Sequence, residues 1–65
     1  MSLFIHHENI TAKNSNAAGV GTFNIIETNE GFFVYENSYL HAECGTLAEA
    51  IAEAKLLAEE FDKTA

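Results

Sequence analysis

The sequence predicts an α+β fold: a three-stranded antiparallel β-meander covered on one face by a single C-terminal α-helix, with an N-terminal extended segment or extra strand. Three observations predict it. Apolar residues from 46 to 62 recur with helical period, and short β-branched and aromatic runs from 23 to 44 are broken by turn residues. A chain of 65 residues has room for one domain with a thin core. The reading divides it into an N-terminal arm and flexible loop (1–22), the meander (23–44) and the helix (46–62).

The segment from Leu3 to Ile10, LFIHHENI, reads as a short strand or as an extended arm laid on the sheet. Neighbouring strand residues point to opposite faces, so His6, His7 and Glu8 do not converge on a metal. They read as solvated residues beside an edge strand. Thr11 to Thr22 is small, polar and aperiodic, a long loop suited to ordering by a partner. Its Gly19-Val20-Gly21 lacks the third glycine and the lysine that phosphate-binding loops use.

Two runs follow, FNIIET from Phe23 and FFVYE from Phe32, joined by Asn29-Glu30-Gly31. Gly31 suits the left-handed position of a three-residue hairpin loop. Asn37-Ser38 then leads into YLHAEC, from Tyr39 to Cys44. Loop length sets register, so the faces can be assigned. A three-residue first loop puts Ile25 opposite Tyr35 and Glu27 opposite Phe33. A two-residue second loop puts Tyr35 opposite Leu40 and Phe33 opposite Ala42. The helix is then expected over Phe23, Ile25, Phe33, Tyr35, Leu40, Ala42 and Cys44. The outer face is expected to carry Asn24, Ile26, Phe32, Val34, Tyr39, His41 and Glu43. On this register His41 and Cys44 face opposite ways and form no catalytic pair.

In the helix, Leu47, Ala50, Ile51, Ala54, Leu57, Ala58 and Phe61 fall on one face. Thr46 with Glu49 three residues on forms a capping box. Opposite the apolar stripe lie Glu49, Glu53 and Glu60, with Leu56 among them and Glu59 and Asp62 nearer the edge. The stripe reads either as an ordinary solvated face or as an anionic ridge with a small apolar anchor, suited to a groove lined by lysine and arginine.

Composition narrows the function. One cysteine excludes an internal disulfide and, with no paired ligand spacing, argues against a structural zinc. The N-terminus has no basic region followed by an apolar run, and no stretch approaches a membrane span. A lone thiol without export signals points to a reducing cytosol. Ten acids stand against three lysines and no arginine, for a formal charge of −7. Such a chain is repelled by nucleic acid and anionic membranes and attracted to basic surfaces, and the alternative reading is that the acidity only confers solubility. No catalytic constellation is present, so the expectation is no enzyme, no cofactor and no metal.

A small acidic β-meander leading into one helix resembles phage-encoded anti-CRISPR proteins, particularly those that imitate DNA against type I surveillance complexes. The stretches carrying the resemblance are FNIIETNEGFFVYENSYLHAEC and TLAEAIAEAKLLAEEFD, about two-thirds of the chain. The resemblance implies an inhibitor whose carboxylates occupy the basic site that reads target DNA. The residues expected to meet the partner are Glu30, Glu36, Glu43, Glu49, Glu53, Leu56, Glu59 and Glu60. The partner is then a protein with a basic surface, with no direct nucleic-acid binding, and the chain is a monomer or weak homodimer. The alternative is a non-catalytic protein–protein interaction module, bacterial or phage, that acts through the outer sheet face.

Overall fold

A computed structural model describes residues 3–65 and contains four strands followed by one helix. The strands are β1 (Phe4–Thr11), β2 (Thr22–Thr28), β3 (Gly31–Glu36) and β4 (Tyr39–Cys44), and the helix is α1 (Leu47–Thr64). All neighbours pair antiparallel in the order β1-β2-β3-β4. The N-terminal segment is therefore an edge strand. It pairs from Phe4↔Thr28 to Thr11↔Thr22, with a bulge at His7.

The first hairpin corrects the expected register. Thr28 pairs with Gly31, so the loop is the two residues Asn29-Glu30, and Thr28 Oγ1 accepts from the Glu30 amide at 3.0 Å. Gly31 belongs to the strand, at φ +137°, where an added Cβ would lie 2.8 Å from the Cys44 carbonyl oxygen. One residue fewer in the loop turns every β3 side chain over. Ile25 faces Val34, not Tyr35, and Glu27 faces Phe32, not Phe33. Phe32 and Val34 thus lie under the helix, while Phe33 and Tyr35 lie outside.

The second hairpin does set Tyr35 opposite Leu40, but a bulge follows. His41 is the extra residue, so Val34 meets Ala42, and Phe33 meets Glu43 rather than Ala42. The bulge keeps Ala42 and Cys44 on the helix side despite the changed register, while Leu40 goes outside with Tyr35. It also turns His41 to the helix side, where its ring meets Phe23 edge-on at 5.2 Å and Tyr39 at 4.7 Å. His41 and Cys44 therefore share a side after all, three residues apart along β4.

The core lies between helix and sheet. Phe23, Ile25 and Val34 are its fully buried large side chains, and Ala50, Ala54 and Ala58 meet them from the helix. Alanine at three successive i, i+4 positions lets the helix backbone come close to the sheet. Leu47, Ile51, Leu57 and Phe61 flank this line, partly buried. The helix starts at Thr46, whose extended backbone and hydroxyl cap it. Thr46 Oγ1 accepts from the Glu49 amide at 3.2 Å and donates to Glu49 Oε1 at 3.1 Å. The carboxylate thus reaches the cap hydroxyl rather than the Thr46 amide.

The connection from β1 to β2 is tied at several points. Ala12 donates to the Gly21 carbonyl at 2.8 Å, Asn16 to that of Val20 at 3.0 Å, and Ala12 is itself a core residue. Gly21 is buried at φ +90°, and an added Cβ would lie 2.8 Å from the Phe61 ring. Only glycine fits there.

Candidate functional site

Two surfaces stand out, one charged and one with little charge. The charged one follows the solvent side of α1 and the neighbouring edge of β4. Glu49, Glu53, Glu59 and Glu60 are exposed, and Leu56 among them is 55% exposed. Glu60 has one cation nearby, Lys63 Nζ at 3.5 Å, with both side chains about 70% in solvent. An ion pair so exposed neutralises little.

Glu43, exposed at the β4 edge, joins Glu49 and Glu53 around a cleft of about 530 Å³ between β4 and α1. Ala42, Cys44, Gly45 and Ala52 complete its lining. Burial pushes the Cys44 thiol up from its ordinary value, and the Glu53 and Glu49 carboxylates add to the effect. At neutral pH it stays protonated, a weak nucleophile.

Two acids have structural roles. Glu36 lies on the helix side, its side chain 20% exposed. Its Oε2 accepts from the Gly21 amide at 2.7 Å and its Oε1 from His41 Nε2 at 2.9 Å. The Gly21 amide first, and His41 second, hold its carboxyl below the usual carboxylate range. Asp62 accepts from the Lys13 amide at 3.0 Å, the Asn14 amide at 2.9 Å and the Asn14 side chain at 3.1 Å. Those two amides hold it low as well. Both carboxylates pin the β1–β2 connection, Glu36 to the sheet and Asp62 to the helix. Nothing in the local sequence marks either role, because the amides they bind lie 15 and 48–49 residues away. Glu30 is exposed on the first hairpin turn, between β2 and β3.

The histidines are dispersed. His6 Nε2 donates to Asn9 at 2.6 Å, His7 Nε2 to Glu27 at 2.9 Å, and His41 to Glu36. Among the described residues no group of three or more His, Cys, Asp or Glu side chains is placed to hold a metal ion. Among the described residues no helix is long and apolar enough to cross a membrane.

The surface with little charge is the outer face of the sheet, where Glu43 stands at the β4 rim opposite Phe33. Asn24, Ile26 and Thr28 of β2, Phe33 and Tyr35 of β3 and Leu40 of β4 share it with Phe4 and His6 of β1. The rings of Phe33 and Tyr35 meet edge-on at 6.5 Å. Phe4 is 73% exposed and Leu40 38%. A shallow groove of about 560 Å³ runs across the face.

Comparison with protein-family models, with curated proteins and with solved structures returned no match.

Proposed function

We propose that this protein is a small, non-catalytic inhibitor that binds a basic nucleic-acid-binding surface of another protein through its acidic ridge. The observation that carries the reading is the cluster of exposed carboxylates on α1 and the β4 edge: Glu43, Glu49, Glu53, Glu59 and Glu60, with one exposed lysine against Glu60. From Glu49 to Glu60 the helix rises about 16 Å, at about 1.5 Å per residue. Over such a length one DNA strand carries about five charges. Four carboxylates on a helix anchored to a sheet, with Glu43 beside them on β4, offer a similar charge to a lysine- and arginine-lined groove. Glu36 and Asp62 are engaged inside the fold, so the ridge acts without them. Leu56 supplies a small contact that salt does not weaken.

The resemblance to DNA-imitating anti-CRISPR proteins gives the partner class, a type I surveillance complex in the bacterial cytoplasm whose access to target DNA the protein blocks. Charge complementarity mainly speeds encounter, so the association rate falls steeply as salt rises. The protonated Cys44 thiol and the dispersed histidines support a role in binding rather than catalysis. The test is DNA binding by purified type I complexes with and without the protein. Loss of DNA binding that salt relieves supports the reading, and unaffected DNA binding across the type I complexes overturns it.

The bare aromatic outer face favours a second reading, a non-catalytic interaction module that docks a protein through the sheet. Partner binding through that face would survive high salt.

A further inference from the structure

We propose that the outer face of the sheet is a self-association surface, on which a second copy of this chain packs sheet against sheet about a twofold axis. The helix covers one side of the sheet only. On the other side Ile26 is 8% exposed although it lies outside the cluster beneath the helix. The groove beside it is lined by Phe4, His6, Phe33 and Tyr35 among others.

Charge selects the occupant. The chain has ten acids and three lysines. Of these thirteen groups only Glu43 belongs to the outer face, opposite Phe33 at its β4 rim. Glu8, Glu27 and Glu36 lie on strand positions of the helix side, Glu30 is in a turn, and the remaining acids are on α1. The lysines sit in the β1–β2 connection and on α1. A basic partner finds almost no counter-charge on this face. A second copy brings its own −7 with the acids mostly turned away from the contact, so repulsion there is small.

Shape agrees with a twofold arrangement. Phe4 is the most exposed large apolar residue among the described residues and lines the groove. In an isologous contact the same patch meets itself, so the Phe4 of each copy reaches towards the groove of the other. Four strands at about 4.8 Å and six residues at about 3.3 Å make a patch roughly 20 Å on a side. Covered on both copies, with side-chain relief, it removes about 1,000 Å² from water, the lower end for a specific contact. The inferred dimer is therefore concentration-dependent. It leaves the α1 carboxylates of both ridges outward, with Glu43 at the rim of the contact, and does not rest on the ridge reading.

Sedimentation equilibrium from micromolar to millimolar protein tests the inference. The mass is expected to rise from 7.1 kDa towards twice that value. The dimer fraction is expected to grow with added salt, which screens the repulsion between copies and leaves apolar contact intact, the reverse of ridge binding. Phe4→Asp and Leu40→Lys are each expected to abolish the dimer while the helical circular dichroism stays unchanged. Leu56→Asp, on the helix side, is expected to leave it intact. A monomer at every concentration and salt overturns the proposal. So does a dimer lost on Leu56→Asp but kept on Phe4→Asp.

Discussion

Ile25 and Val34 face each other across β2 and β3, and both are fully buried. Phe33, one position along, is larger but lies on the open side. Ile25→Ala is expected to cost roughly 2–5 kcal/mol, as other truncated core side chains do, and Phe33→Ala distinctly less in the monomer. Denaturant unfolding of the two variants measures the register, because a three-residue first loop would make Phe33 the costlier loss. Glu36 and Asp62 give the residue scale a pH dependence. Both carboxyls are held below their ordinary values in the fold, so each contributes stability that is fully present above the unfolded-state values, about 4. That contribution is lost as pH falls through the lower folded-state values. Thermal melting should therefore fall off below about pH 4. In Glu36→Gln the neutral-pH melting temperature is expected to be lower and the acid loss smaller. An acid profile identical to that of the parent would remove Glu36 from this role.

Among the elements, the helix was the most legible, and its apolar face can be read from Leu47 to Phe61 because the period is sustained over four turns. Its three buried alanines make a prediction. Ala54→Leu forces three added carbon atoms between helix and sheet and is expected to cost about 1–3 kcal/mol, whereas exposed Ala52→Leu is expected to be nearly neutral. Equilibrium unfolding of the pair measures how closely helix and sheet approach. The strands were legible as segments but not as faces. Placing Gly31 in the loop rather than in β3 reversed Phe32, Phe33, Val34 and Tyr35. The bulge at His41, which no turn residue announces, then brought Ala42 and Cys44 back to the expected side. Face assignment depends on single-residue differences in loop length and bulging, and composition does not specify them. The β1–β2 connection was illegible for another reason: Glu36 and Asp62 hold it through contacts far apart in sequence.

At the scale of the whole molecule, charge and apolar surface are separated. The acids concentrate on α1 and around the helix side, and the outer face is left almost uncharged. The ridge of Glu49, Glu53, Leu56, Glu59 and Glu60 was legible from helical period alone. The outer face was legible in part: Asn24, Ile26 and Glu43 lie on it as the pattern expects, whereas a three-residue first loop places Phe33 and Tyr35 beneath the helix. The central claim is that the ridge, and not the acidity of the chain at large, engages a basic nucleic-acid-binding surface. Glu49, Glu53 and Glu60 are exposed, so reversing all three to lysine is expected to preserve the fold. The most direct measurement is target-DNA binding by a purified type I surveillance complex, titrated with the parent protein and with the Glu49→Lys, Glu53→Lys, Glu60→Lys variant. The account predicts that the parent blocks DNA binding and that the folded variant does not. Equal inhibition by the two proteins would contradict it.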